Sequence, residues 1–272
     1  MSEAANESQR QHWNDDVRLS AWSHREPMTA AVTATLLERV ALRDGERVLD
    51  VGTGGGRSAI AAARRVGPDG AAVGADISLP LVALARQRAA AGGVTNARFV
   101  VADVQTATLD DGPFDAAISQ FGVMFFDEPV TAFANIRAHV RLGGRLVFIC
   151  WQALADNPWF VGAALQPFCP PAPSPGPGKN ATGPFALADA EYTTAILANA
   201  GWSAIERTPY RQTVTVDPEV LVEDDAYLRY LGVADDRLAE ARAARDDHLA
   251  PLQRTDGRYD APLAFQVFTA RN

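Results

Sequence analysis

The alternation of short apolar runs with helical segments limits the possible folds of this chain more than any other feature. Five runs, rich in Val, Ile, Leu and Ala, lie at 47–51, 71–75, 98–102, 114–119 and 145–151. Short runs that are apolar almost throughout are typical of strands buried on both faces. Because long helical patterns separate most of the runs, the sequence predicts βαβ units and therefore an α/β fold with a mostly parallel sheet.

The segments around this alternation predict the domain organisation. A helical apolar pattern predicts an N-terminal helical cap over residues 1–44. The core is predicted at 45–210 and contains a flexible loop at 167–184, where seven prolines and three glycines disfavour a regular element. A charged helical pattern predicts a helical cap insertion at 211–257, and the final strand of the core follows at 258–272.

Composition narrows the class of partner. The chain has 33 acidic and 25 basic residues and a net charge of −8, which disfavours nucleic acid because phosphate binding needs clustered Lys and Arg. Two cysteines are too few for a disulfide framework and favour a reducing compartment. No apolar run approaches the roughly 18 residues that would span a bilayer. We expect a cytoplasmic protein with a small-molecule partner and no membrane span, and the sequence leaves its oligomeric state open.

The glycine cluster that follows the first run is the strongest candidate binding motif. It reads Asp50-Val51-Gly52-Thr53-Gly54-Gly55-Gly56 and lies between a predicted strand and a predicted helix. Glycines let a ligand press against the backbone, and the helix N-terminus presents free amides. The third glycine comes one residue too early for the dinucleotide fingerprint G-x-G-x-x-G, which disfavours a nicotinamide-dependent oxidoreductase. Asp50 would repel a pyrophosphate but suits a ligand with an ammonium group.

Two further acids end the next two runs. Asp76 stands 20 residues after Gly56, where a carboxylate can accept hydrogen bonds from ribose hydroxyls. Asp103 ends the third run and can accept from an exocyclic amine. Any one of these acids is equally well explained as a helix N-cap. Together with the glycine spacing, they indicate an adenosine that carries an amino-acid tail rather than phosphates.

These motifs resemble those of the class I S-adenosylmethionine-dependent methyltransferases, in particular the ubiquinone-biosynthesis-type small-molecule methyltransferases. The residues that carry the resemblance are Val48–Gly56, Gly74–Ser78, Val101–Val104, Phe114–Ser119 and Arg141–Val147. The resemblance implies a Rossmann-like, seven-stranded, mostly parallel sheet with helices on both faces. An N-terminal helical cap and a helical insertion before the last strand complete the predicted fold. S-adenosylmethionine is the implied cofactor, S-adenosylhomocysteine its product, and no metal is expected.

The same resemblance implies which residues bind the cofactor. Asp50 and the glycines would face the methionine tail, Asp76 the ribose, and Asp103 the adenine. The predicted cofactor-binding residues are Asp50, Gly52, Thr53, Gly54, Gly56, Asp76, Ile77, Asp103, Val104, Gln120, Phe121 and Trp13.

The acceptor site is predicted from aromatic residues near the strand ends. These are Trp22, Phe125, Phe126 and Trp151, and packing in the core is the competing explanation for them. His24, on the predicted cap, is the candidate general base, although the catalytic residue is otherwise left open.

We therefore predict methyl transfer from S-adenosylmethionine to a small-molecule metabolite by in-line displacement. Such a protein mainly aligns nucleophile, methyl carbon and sulfur. The alternative is a protein of the same fold that binds the cofactor but performs a non-methylating reaction or only binds. The sequence does not distinguish O-, N-, S- and C-methylation.

Overall fold

Seven strands form one mixed sheet in the order β3-β2-β1-β4-β5-β7-β6. The computed structural model describes residues 6–171 and 182–272. The strands are β1 Arg47–Val51, β2 Ala71–Asp76, β3 Ala97–Val101, β4 Phe114–Gln120, β5 Val140–Trp151, β6 Ser203–Val216 and β7 Tyr259–Arg271. The longer helices are α1 Glu7–Trp13, α2 Asp16–Ala30, α3 Val32–Val40, α4 Arg57–Val66, α5 Leu79–Ala91, α6 Pro129–His139, α8 Ala190–Asn199, α10 Asp225–Tyr230 and α11 Leu238–Leu249. The short helices are α7 Gly162–Leu165 and α9 Pro218–Leu221.

The first five strands are parallel, and β7 pairs antiparallel with both β5 and β6. The chain passes from β1 to β2 and β3 in one direction across the sheet, and from β4 to β5 in the other. Because such crossovers are right-handed, α4 and α5 lie on one face and α6 on the other. The predicted Rossmann-like, mostly parallel sheet with helices on both faces is confirmed. All five apolar runs form strands, and β1, β2 and β4 are buried along almost their whole length.

The predicted N-terminal helical cap consists of three helices, α1, α2 and α3. The side chain of Asp15 accepts hydrogen bonds from Val17 N and Arg18 N, which begins α2 after the break that follows α1. Helix α3 packs on β4 and β5, whereas α2 contacts α9 and α10. The cap is therefore held between the sheet and the inserted helices.

The inserted helices begin later than the sequence pattern suggests. Strand β6 continues to Val216, so residues 211–216 of the range predicted for the insertion lie in the sheet. They pair in antiparallel register with β7, where Val216 lies opposite Tyr259. Alternation of half-buried and exposed residues along β6 is typical of an edge strand with one solvated face.

The predicted loop at 167–184 is described only in part. Residues 166–168 form a 3₁₀ turn, and Gly183 N donates a hydrogen bond to Met124 O. Residues 172–181, which include three of the seven prolines of this predicted loop, lie outside the described residues.

Candidate functional site

One large cavity lies over the carboxyl ends of β1 to β5 and under α1 and α2. About 1260 Å³ of space free of protein atoms lies in it, including the open solvent at its mouth. Most of the residues predicted for cofactor or acceptor binding line it together. They are Trp13, Trp22, Gly52, Gly54, Asp76, Ile77, Asp103, Val104, Gln120, Phe121, Phe125, Phe126 and Trp151.

Four predicted residues do not line this cavity. Asp50, Thr53 and Gly56 are buried behind its wall, and His24 is exposed on α2. His24 is therefore not brought to the predicted site, and none of the other described histidines lines the cavity in its place.

Asp50 organises the glycine loop from within. Its Oδ2 accepts hydrogen bonds of 2.6 Å from both Thr53 Oγ1 and Ser58 Oγ. Its Oδ1 is buried with no hydrogen-bond partner among the described residues. Burial raises the pKa of Asp50 to about 6, although the two hydroxyl donors oppose the shift. The carboxylate thus ties the end of β1 to the first turn of α4.

The glycines of the loop are required for different structural reasons. Gly52 has φ +66°, and a Cβ there would stand 2.7 Å from Gly122 Cα, so the loop after β4 approaches this position closely. A Cβ on Gly54 would stand 3.1 Å from the ring of Trp22. At Gly56 a Cβ would meet Ala85 of α5 at 2.8 Å, which makes this glycine a helix-packing position.

Asp76 connects the ends of β1 and β2. Its Oδ2 accepts a hydrogen bond of 2.8 Å from Gly54 N, and its Oδ1 accepts one of 2.9 Å from Ser78 N. Burial raises the pKa of Asp76, and these backbone donors oppose the shift. The two carboxylate oxygens together have about four lone pairs, so the Asp76 side chain, which lines the cavity, keeps acceptor capacity.

Asp103 is held by a residue that the sequence did not single out. Asn6 Nδ2 donates to Asp103 Oδ1 at 2.9 Å, and Asn6 Oδ1 accepts from Asp127 N at 2.9 Å. Gln105 N also donates to Asp103 Oδ1. Asp103 Oδ2 is buried with no partner among the described residues. A carboxylate oxygen is thus left to accept from a donor in the cavity.

The end of β4 is shaped by Gln120 and Phe121. The amide of Gln120 is engaged by the cap, because it donates to Thr29 O and accepts from Thr33 Oγ1. Phe121 has φ +61°, a left-handed conformation that is strained for an aromatic residue. Its ring stacks on Trp151 with centroids 4.0 Å apart. The strain is retained at the place where β4 meets the cavity.

Aromatic side chains form much of the remaining wall. Trp13 meets Phe125 edge to face at 5.1 Å, and Trp151 contacts Trp159, which in turn contacts Phe160. Phe126 lines the cavity but also packs edge to face on Phe133 of the core. The wall suits a flat, apolar ligand.

Charged residues of α2 complete the lining, and sequence reasoning missed them. They are Arg18, Arg25 and Glu26. Glu26 is bound through both oxygens by Arg88 of α5, at 2.6 and 2.7 Å. The only signal in the sequence was that Arg18 and Arg25 stand two helical turns apart. Sequence could not show that they face the cavity, because the orientation of α2 depends on long-range packing.

Among residues 6–171 and 182–272, no group of three or more His, Cys, Asp or Glu side chains is placed to hold a metal ion. No helix in the same residues is long and apolar enough to cross a membrane.

Comparison with known proteins gives a family match over the region that carries the glycine loop. Residues 48–144 match a family model described as a methyltransferase domain. The match extends from β1 into β5 and includes the loop and the strand ends that carry Asp76 and Asp103.

Curated relatives match over a similar stretch. Aklanonic acid methyltransferase DauC of a Streptomyces species is 34% identical over 131 residues, which are 48% of this chain and 56% of that protein. The ubiquinone/menaquinone biosynthesis C-methyltransferase UbiE of Pseudomonas putida is 33% identical over 114 residues, 42% of this chain and 44% of its own length. The matched stretch thus spans about half of each of these relatives.

The whole fold recurs in solved structures at lower identity. The YcgJ protein of Bacillus subtilis superposes with a TM-score of 0.60 at 16% identity, covering 89% of this chain and 98% of that one. At this identity the likeness concerns the fold alone.

Proposed function

We propose that this chain, whose residues 48–144 match a family model described as a methyltransferase domain, transfers a methyl group from S-adenosylmethionine to a small organic acceptor. One observation carries the proposal. The glycine loop, Asp76 and Asp103, which follow β1, β2 and β3 in turn, line one cavity.

The residues of the cavity fit this cofactor. Asp103 Oδ2, which is buried without a partner among the described residues, suits the exocyclic amine of adenine. Asp76 offers acceptor capacity for ribose hydroxyls beside the glycine loop. Gly52 and Gly54 leave the backbone open to an amino-acid tail, because neither carries a Cβ.

When bound, S-adenosylmethionine supplies an electrophilic methyl group on a sulfonium, and S-adenosylhomocysteine is what remains after transfer. The protein's part is to orient the acceptor and to exclude water. Trp22 covers the glycine loop, and Trp13 covers the end of the cavity near Ser78, whose Oγ donates to Trp13 O at 2.6 Å. The cap therefore covers the cavity on the side where the cofactor is expected.

The acceptor is proposed to bind against the aromatic wall around Phe121, Phe125 and Trp151. This wall is apolar and lies at the ends of β4 and β5, next to the expected position of the methyl group. The names of the two curated relatives refer to aklanonic acid and to ubiquinone and menaquinone biosynthesis, which supports a small organic acceptor. We propose no general base, since none of the four histidines, all of which are among the described residues, lines the cavity.

Calorimetry with S-adenosylmethionine, S-adenosylhomocysteine and NAD tests the cofactor. We expect the first two to bind and NAD not to bind. Incubating the protein with S-adenosylmethionine and metabolite extracts, followed by mass spectrometry, then tests the transfer. The expected result is S-adenosylhomocysteine together with a metabolite that has gained the mass of one methylene. Cofactor binding without any acceptor-dependent S-adenosylhomocysteine would favour the non-methylating alternative.

A further inference from the structure

Arg18 is a half-buried cation in the cavity wall, and it has no anionic partner among the described residues. Its Nη1 donates to the hydroxyl of Tyr227 at 2.8 Å, and its guanidinium lies over the ring of Trp13 at 4.8 Å. Its Nε is buried with no hydrogen-bond partner, and no carboxylate among residues 6–171 and 182–272 forms an ion pair with it. Burial lowers the pKa of Arg18, as expected where desolvation of the charged form is incompletely compensated.

The groups that surround Arg18 do not supply the missing negative charge. Burial lowers the pKa of His12 to about 4, so its ring is neutral. The carboxylate of Asp15 accepts from the backbone at the start of α2 and forms no ion pair with the Arg18 guanidinium. Arg25 is itself paired with Glu223 and lies over the ring of Tyr227. Burial by itself would raise the pKa of Tyr227, but the two arginines lower it overall, which shows how positive this corner is.

A buried charge is retained at high energetic cost unless a counter-ion or hydrogen-bond acceptor completes it. An arginine whose Nε has no hydrogen-bond acceptor is suited to bind a planar anion, because the guanidinium presents paired donors in a fixed plane. Arg18 lines the same cavity as the aromatic wall, and its partner Trp13 contacts Phe125. The missing anion would therefore sit beside an apolar, aromatic surface.

We propose that Arg18 binds a carboxylate of the methyl acceptor, so that the acceptor is an apolar or aromatic acid. This inference rests on the proposed function and names its substrate class. A carboxylate also occurs on the amino-acid tail of the cofactor. The tail, however, is expected at Gly52 and Gly54. Gly54 lies against the ring of Trp22, which is one helical turn along α2 from Arg18. The acceptor is the source that the position of Arg18 favours.

The test compares an aromatic acid with its neutral amide. Binding of 2-naphthoate and 2-naphthamide, and of anthraquinone-2-carboxylate and its amide, is measured by calorimetry on the full chain saturated with S-adenosylhomocysteine. We expect the wild type to bind at least one acid about ten-fold to a hundred-fold more tightly than its amide. Arg18→Met, which keeps the apolar stem, should abolish this preference, and Arg18→Lys should retain part of it. The control Arg10→Gln, an exposed arginine of α1 that pairs with Glu7, should leave it unchanged.

A second measurement separates the two sources of carboxylate. S-adenosylhomocysteine carries the amino-acid tail and 5′-methylthioadenosine lacks it, and we expect Arg18→Met to change the affinity for neither. Weaker binding of S-adenosylhomocysteine alone would assign Arg18 to the cofactor tail and overturn the proposal. Failure of every acid to bind the wild type better than its amide, including failure of all probes to bind, would also overturn it.

The remaining outcomes are also decisive. If Arg18→Met does not fold, as judged by its thermal unfolding, the acid-to-amide ratios of the wild type and Arg18→Lys decide. Should S-adenosylhomocysteine not bind the wild type, the proposed function fails. The acid preference of the ligand-free protein still tests Arg18 separately in that case.

Discussion

The side chain of Asn6 donates a 2.9 Å hydrogen bond to Asp103, and so joins the segment before α1 to the loop after β3. Asn6 is buried, and its own carbonyl oxygen accepts from Asp127 N. One amide therefore connects the cap to two loops that follow core strands. This connection makes the predicted adenine-binding acid dependent on the cap being in place.

The first prediction concerns this connection. Asn6→Ala removes a donor to Asp103 and leaves Asp127 N without its acceptor. We expect the affinity for S-adenosylhomocysteine to fall about five-fold to thirty-fold, since a lost hydrogen bond to a charged group costs roughly 1–2 kcal/mol. Calorimetry measures this, and Ser8→Ala, an exposed change in α1, is the control. Equal affinities in the two variants would contradict a role of Asn6 in the site.

The second prediction concerns Asp76. Asp76→Ala should weaken S-adenosylmethionine binding by about 1–3 kcal/mol, because charged hydrogen bonds to the ribose would be lost. Part of the loss would come from Gly54 N, which donates to Asp76. Isothermal calorimetry gives the difference, with the exposed Asp69→Ala as the matched control. An unchanged affinity would remove Asp76 from the ribose site.

The third prediction separates two reasons why a position requires glycine, a positive φ and the close approach of another segment. Gly52 and Gly45 both have positive φ, but a Cβ at Gly52 would stand 2.7 Å from Gly122 Cα, whereas nothing lies within 4 Å at Gly45. Gly45→Ala should cost about 1–2 kcal/mol of the free energy of unfolding through backbone strain alone. Gly52→Ala should cost clearly more and should also weaken cofactor binding. Urea unfolding of both variants measures the difference, and equal losses would show that the loop after β4 yields easily.

The fourth prediction concerns the pH dependence of stability. The pKa of Asp50 is raised by burial from its ordinary 3.8 to about 6, so between these values the native state holds a proton that the unfolded state has released. The contribution of Asp50 to stability is therefore greatest at low pH and is lost as pH rises to about 6. Between pH 3.8 and about 6, the contribution of Asp50 to the free energy of unfolding should fall by on the order of 3 kcal/mol.

Asp50→Asn tests this sign directly. The amide oxygen can still accept from Thr53 and Ser58, while the charge is gone. From pH 4.5 to pH 7, the wild type should lose free energy of unfolding relative to Asp50→Asn, as measured by urea titration. The exposed Asp110→Asn should instead follow the wild type. Parallel curves for the wild type and Asp50→Asn would show that Asp50 stays ionised in the native state.

The fifth prediction distinguishes the two aromatic residues of the acceptor hypothesis. Phe125 contacts Trp13 in the cavity wall, whereas Trp22 lies against Gly54. Phe125→Ala should raise the KM for the identified acceptor several-fold while leaving S-adenosylhomocysteine binding unchanged. Trp22→Ala should weaken both, because it uncovers the glycine loop. Unchanged turnover of the acceptor by Phe125→Ala would exclude Phe125 from the acceptor site.

Much of the fold was accessible from sequence because its signals are local. The apolar runs that form β1 to β5 are bounded by glycines, acids and prolines, and each such signal acts within a few residues. The length of β6 was not accessible in the same way. Residues 211–216 alternate in burial because they pair with β7, and this pairing joins positions more than forty residues apart.

The residues of the candidate site likewise fall into those that local sequence could locate and those that it could not. The acids at the ends of β2 and β3 could be located because parallel strands bring their carboxyl ends to one edge of the sheet. Asp50 follows the same pattern, but its side chain turns inward to Thr53 and Ser58. His24 lies on the predicted cap but on its exposed face, and the direction of a helix face is decided by packing.

Local pattern thus determined the α/β architecture, the glycine loop and the order of the strand-end acids. Tertiary packing alone decided that α2 covers this edge with Trp22 over the loop, that Asn6 reaches Asp103, and that Arg18 lies in the cavity wall. The physical reason is that a helix carries no information about its partner beyond the apolar stripe it presents. The position of its charged side chains becomes defined only when the sheet and the inserted helices fix its rotation and direction.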